Sequence, residues 1–221
     1  MSTPCRRCGT CCRGGGPTLM EEDLPLTMEG VLPLASLVCL HRGEWARDLD
    51  GALVPLGQEL VKTAGTGERG APWHCVFHEG NDCAIHDRAP AQCRLLQCRD
   101  TGPVAELLAN GKRLTRKRIL GAMGGDGERL WELAAAHEES CSIGDVLEDA
   151  RRLGFSPGAP FPGRERLLQA RRELEEPVRF DAAFRDLCRE RVEEIRDVLP
   201  FLLGRPLAEM LKDVGLTFED G

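Results

Sequence analysis

Cys5-Arg6-Arg7-Cys8-Gly9-Thr10-Cys11-Cys12 is the stretch that decides how this chain must fold. An exposed thiol is open to oxidation, so a run of thiols is a poor use of a surface; a thiolate, however, is a strong ligand for soft metals. Cys5-x-x-Cys8 is the spacing at which two thiolates from one tight turn reach the same ion. Cys8-x-x-Cys11 repeats it, as in the opening of a ferredoxin cluster loop. The ferredoxin pattern then calls for a cysteine three residues on, whereas here Cys12 follows at once. Adjacent side chains diverge, so Cys11 and Cys12 are expected to face different partners. That expectation favours a two-metal site, a polynuclear cluster, or one ligand beside a free thiol.

A second cluster, Cys75, Cys83, Cys93 and Cys98, supplies the balance. The polar run His78-Glu79-Gly80-Asn81-Asp82 between its first two members can turn back on itself. Four thiolates from each cluster would satisfy two tetrahedral zinc sites, or one iron–sulfur cluster with cysteines to spare. Cys39, Cys141 and Cys188 stand alone beside helical or apolar neighbours and read as core residues. An odd total of eleven cysteines also fits poorly with a fully paired disulfide framework.

The rest of the composition narrows the function classes. A length of 221 residues suits one or two domains with a normal core. The net charge of −7 and the absence of tyrosine argue against a nucleic-acid binder, which needs a basic surface and aromatic platforms. The N-terminus shows no basic-then-apolar signal pattern, and the most apolar stretch, Val31 to Leu40, is too short to span a bilayer. No membrane partner is therefore expected, and the expected location is the cytoplasm. That compartment is reducing, which favours metal ligation over disulfides.

The fold class this predicts is mainly α with irregular regions: a cysteine-rich, metal-stapled half over residues 1–102 and a helical half over 103–221, the two packed as one globular unit. Gly14-Gly15-Gly16-Pro17 reads as a loop that lets backbone amides approach a charged centre. Thr18 to Leu24 reads as a helix start with Thr18 as cap. Trp45 to Leu60 reads as a hairpin turning at Asp50-Gly51. Beyond Pro103, three- and four-residue apolar spacing predicts helices over Val104–Ala109, Arg113–Met123, Glu128–Glu139 (capped by Asp126) and Ile143–Leu153, the last stopped by Gly154. After a loop at Ser156–Gly163, helices follow over Arg164–Glu175, Asp181–Leu199 (closed by Pro200) and Leu207–Val214.

Taken together, Cys5-x-x-Cys8-Gly9-x-Cys11-Cys12 and Cys83-x-Ile85-x-x-x-x-Pro90-x-x-Cys93-Arg94-x-x-x-Cys98 resemble the YkgJ-type cysteine-cluster family. That family is named for its CxxCxxCC motif and is described as a zinc- or iron-chelating domain. The likeness covers about residues 5 to 98 and includes the acidic helix start at Glu21-Glu22-Asp23. It implies metal binding by all eight clustered cysteines. The chain departs from the family at His86, where tyrosine is common, at Ala89, where arginine is common, and at Gln97, where proline is common. No substrate contact is carried over from the first two positions. One branch is linked to N-methylation of flagellin lysines, but Gly124-Gly125-Asp126-Gly127 follows a helical stretch rather than a strand, so no S-adenosylmethionine loop supports that activity here.

Around the clusters, His74, His78 and His86 can replace a thiolate or support one from behind, and Cys75-x-x-His78 has chelating spacing. A supporting or surface role is the expectation for each. His41 and His137 have no such company. Arg6, Arg7, Arg13 and Arg94 are placed to offset the charge of a thiolate-rich centre. The basic run Lys112 to Arg118 reads as a solvated helix face. The function these residues indicate is metal binding: zinc or iron chelated through two four-cysteine clusters, with the helical half offering a surface to a protein partner. The iron could be held as an iron–sulfur cluster. The alternative is an iron–sulfur-dependent oxidoreductase or protein- or peptide-modifying enzyme. A third reading is a thiol redox sensor at Cys11-Cys12. With no Ser-His-Asp order, HExxH sequence or Walker loop, whether the chain is an enzyme stays open.

Overall fold

The glycines and prolines of the first hundred residues permit only short elements, whereas the later apolar spacing supports long helices, and the computed structural model follows that division. It describes residues 8–48, 50–97, 100–191 and 193–218, with side chains at 193 and 194 left aside. The helices are α1 (Thr10–Arg13), α2 (Leu24–Met28), α3 (Ala91–Leu95), α4 (Gly102–Asn110), α5 (Arg116–Ala122), α6 (Gly125–Ser140), α7 (Ile143–Arg152), α8 (Arg164–Arg191), α9 (Leu199–Leu203) and α10 (Leu207–Lys212). The strands are β1 (Leu37–Leu40), β2 (Trp45–Arg47), β3 (Leu53–Pro55), β4 (Leu60–Thr63), β5 (His78–Glu79) and β6 (Asp82–Cys83). Among the described residues they form three two-stranded sheets, β1-β4, β2-β3 and β5-β6. The protein is mainly α, as its sequence predicts. No helix among the described residues is long and apolar enough to cross a membrane.

The chain forms two compact units, and their boundaries differ from a division after residue 102. One unit comprises the chain up to Cys39 together with Leu60–Glu128; the other comprises Leu40–Glu59 and the chain from Arg129 onward. The expected hairpin is present, with Trp45 opposite Pro55 and Arg47 opposite Leu53. Its turn is fastened by the Asp48 carboxylate, which accepts from the amides of Asp50 and Ala52. It belongs with the later helices, while α4 and α5 belong with the cysteine-bearing unit. Such long-range grouping leaves no local signal in sequence.

In the first unit, the segment after the first cysteines is extended rather than helical. Leu19 donates its amide to the Val61 carbonyl at 2.8 Å and accepts from the Leu114 amide at 3.0 Å. The chain is thereby clasped on both sides, and Leu19, Val61 and Leu114 are all fully buried. Thr18 is consequently no helix cap. Helical structure begins at Glu21, where the Asp23 carboxylate accepts from the Met20 amide at 2.9 Å. The basic run is only partly a solvated face: Lys112 and Arg118 lie against Glu21, but Arg116 is 1% exposed.

In the second unit, α7 buries Ile143, Val146, Leu147 and Ala150, while α8 buries Ala170, Leu174 and Val178 and α10 buries Leu207, Met210 and Leu211. These spacings place one apolar stripe on each helix, and burying one such large side chain stabilises by roughly 1.5–3 kcal/mol. The two helices expected on either side of residue 177 are one. Helix α8 runs through Pro177, which forgoes one backbone donor, because the buried stripe continues across it. Pro200 opens α9 rather than closing its predecessor. Asp126 lies inside the first turn of α6 rather than ahead of it.

A charged network sits inside this unit. Asp181 accepts from Arg185 Nε at 2.9 Å, from the Leu207 amide at 2.9 Å, and shares a 2.9 Å contact with His137 Nε2. Arg185 donates onward to the carbonyls of Leu203, Gly204 and Arg205. Burial opposes ionisation of Asp181, yet the His137 hydrogen bond and the Arg185 charge hold its carboxyl below the usual range. His137 and His41, which contacts the Leu203 carbonyl at 3.0 Å, are thus buried and partnered.

Candidate metal centre

The first cysteine loop is shaped by Gly9, whose φ of 71° is open to glycine at little cost and turns the chain into α1. That single turn carries Cys11 and Cys12, with Cys8 exposed ahead of it. The Sγ atoms of Cys11 and Cys12 lie 3.9 Å apart. The adjacent pair thus presents its two sulfurs side by side. The separation is too long for a disulfide at ~2.05 Å. It matches the ~3.8 Å between two sulfurs that each stand ~2.3 Å from one tetrahedral zinc.

The second cluster is brought to the first by backbone contacts. The Cys75 amide donates to the Cys12 carbonyl at 2.9 Å, which joins the two cysteine segments directly. Cys75 is buried, with its Sγ 3.5 Å from Thr63 Oγ1 at the end of β4. Gly16 packs on the same threonine so closely that a Cβ would fall 1.6 Å from Oγ1. The Gly14–Gly16 loop therefore serves close packing against β4. Cys83 ends the β5-β6 hairpin directly opposite His78, with the turn made where Gly80 has a φ of 60°.

Cys93 rides on α3, and this short helix is anchored by Asp23, read in the sequence only as part of an acidic helix start, and by Gln92. Asp23, fully buried, accepts from the Ala91 amide at 2.8 Å, and Gln92 Oε1 accepts from the Thr18 amide at 2.6 Å. Burial pushes the Asp23 carboxyl above its usual range against the pull of the two amides and Arg94. Arg94, expected to balance thiolate charge, donates instead to the Ala89 carbonyl and to Glu22. Arg13 donates to the Cys8 carbonyl. Cys5, Cys98, Arg6 and Arg7 lie outside the described residues.

The thiols of the two segments act on one another electrostatically. Burial, then the charge of Cys11 and its contact, then Cys75 and Cys83, push the Cys12 thiol up to about 12. Burial followed by Cys75, Cys11, Cys12 and Cys83 raises Cys93 in the same direction. Among the described residues, no three Cys, His, Asp or Glu side chains stand together at the spacing that would hold an ion. The donor set nevertheless suits a soft cation: burial and mutual repulsion favour neutral thiols, and a cation among them reverses that balance. Cys39, Cys141 and Cys188 are buried, as expected of core thiols, with Cys141 pushed up to about 11 chiefly by burial.

The histidines divide by environment. His86 is partly exposed, its Nδ1 3.4 Å from Asp87, in an open groove of about 590 Å³ that also contains Cys83, Ile85 and Arg88. His78 is buried, its Nδ1 2.7 Å from His74 Nε2, while its Nε2 lies beside Gly9. A scan against protein-family models found no match, and searches of curated proteins and of solved structures found none either.

Proposed function

We propose that the chain is a metal-binding protein that holds zinc or iron on a centre built jointly by its two cysteine clusters. The observation that carries this reading is the backbone bond from the Cys75 amide to the Cys12 carbonyl, which clasps two cysteine segments far apart in sequence. The 3.9 Å spacing of Cys11 and Cys12 supports it, being the edge of a thiolate tetrahedron. Cys8 stands in the same loop, and Cys5 and Cys98 complete the eight ligands implied by the likeness to the CxxCxxCC family. Metal binding draws its ligands together and contributes directly to folding, so the donors need not be fully gathered beforehand. The buried Asp23 and the Gly16–Thr63 contact supply the rigid support such a centre requires.

The test is anaerobic purification followed by elemental analysis and a visible spectrum. Stoichiometric zinc gives a colourless, redox-silent protein; an iron–sulfur centre absorbs visible light and loses that absorbance on reduction or in air. Absence of both metals after careful anaerobic work would sink the proposal.

A further inference from the structure

Buried polar atoms are almost always hydrogen-bonded, and one that is not calls for a reason. His41 and His137, the other deeply buried histidines, each satisfy Nε2, against the Leu203 carbonyl and Asp181 respectively. His78 is 8% exposed, and its Nε2 has no hydrogen-bond partner among the described residues. That atom lies beside the first cysteine loop: the position a Cβ on Gly9 would take is 2.2 Å from it and 2.8 Å from Arg13 Nη1. Only a residue without a side chain lets the imidazole tip come so near the backbone between Cys8 and Cys11. The His78 backbone is fixed from both sides of the second cluster, its amide donating to the Cys75 carbonyl and its strand pairing it with Cys83.

We propose that His78 is a nitrogen ligand of the metal centre, its Nε2 joining the cysteine thiolates, and that His74 is the residue that positions it. The assignment rests on the metal-centre reading above and goes beyond its all-cysteine ligand set. For Nε2 to carry a lone pair, the ring proton of neutral His78 must sit on Nδ1. His74 Nε2, 2.7 Å away, is the acceptor that holds it there. This is the arrangement by which ligating histidines are commonly oriented, with the second ring nitrogen donating to a fixed partner. The centre is then of mixed nitrogen and sulfur type, as in many zinc sites. An unpaired buried nitrogen, otherwise a cost to the fold, acquires a function.

The experiment is zinc-edge X-ray absorption on the full chain reconstituted anaerobically with zinc alone, with affinity measured by chelator competition. The wild-type protein is expected to show sulfur in the first shell together with the outer-shell scattering of an imidazole. His78→Ala should lose the imidazole signal and bind zinc at least tenfold more weakly. His74→Ala should keep the signal and lose about 10- to 100-fold in affinity, and His74→Gln, whose side-chain oxygen accepts the same proton, should restore most of it. His86→Ala should change neither. A wild-type first shell of sulfur only overturns the assignment while leaving the metal centre standing, as does an imidazole signal that survives His78→Ala. Failure of the wild-type protein to bind zinc overturns both. The wild-type spectrum decides the ligand question even where a variant folds poorly.

Discussion

Replacing Asp23 by alanine should loosen the helix that carries Cys93 without disturbing the other unit. The Asp23 carboxylate is fully buried and accepts from Met20 N at 2.9 Å and Ala91 N at 2.8 Å, joining the segment after the first cysteine loop to the start of α3. Its removal leaves two buried amides unpaired, at about 1–3 kcal/mol each. Relief of the carboxylate's own burial, the main reason its pKa is raised, offsets part of this. The net loss is roughly 2–4 kcal/mol, or about 30- to 900-fold in a local opening equilibrium. Because the chain has two units, a single melting midpoint is the wrong readout, and native-state hydrogen exchange at the Met20 and Ala91 amides is the right one. Exchange at the Leu207 amide, held by Asp181 in the other unit, is the internal control. The same group fixes a pH effect. Since the folded pKa of Asp23 is raised, its contribution is present below about pH 3.9 and is lost as pH rises through the folded value. The variant should lack that slope. Wild-type exchange rates at both amides in Asp23→Ala would refute this reasoning.

Further expectations follow from other parts of the molecule. Asp181→Asn breaks the buried network of His137, Arg185 and the Leu207 amide and should destabilise the second unit by about 3–5 kcal/mol, read by denaturant unfolding. Because the folded pKa of Asp181 is lowered, the wild-type contribution is complete above about pH 3.9 and fades as pH falls through the folded value; a unit equally stable in strong acid contradicts this. Gly16→Ala, whose Cβ would meet Thr63 Oγ1 at 1.6 Å, should cost roughly 1–3 kcal/mol and weaken metal binding. Adding Thr63→Ala should recover part of that loss, and strict additivity of the pair would speak against the contact. Cys188→Ser should leave metal content unchanged, since Cys188 is buried in the other unit on α8.

Helices α4 to α7 and α10 were legible because apolar residues recur at helical spacing, and the β2-β3 hairpin because Asp50-Gly51 marks its turn. Three features were not legible, each for a long-range reason. Pro177 signals a break locally, but the stripe formed by Leu174 and Val178 carries α8 across it. Asp23, Arg116, Asp181 and Arg185 resemble surface charges in sequence, yet all are buried; their neighbours are fixed only by the folded chain. The affiliation of residues 40–59 with the later helices is likewise a tertiary choice. At the candidate centre, spacing nominated the cysteines, and the Cys75-to-Cys12 backbone bond joins their two segments. At Cys11 and Cys12, Gly9 starts a tight turn that presents both sulfurs side by side. His74 and His78 were visible as chelating types, but the unpaired Nε2 emerges only from burial.

Metal content per chain, measured side by side in the wild-type protein, Cys12→Ser and Cys93→Ser, tests the shared centre most directly. The two substitutions lie on different segments, so a jointly built centre requires that each lose most of the same zinc or iron. Full metal content in either variant, or a wild-type protein that carries none, would contradict a centre shared by the two cysteine clusters.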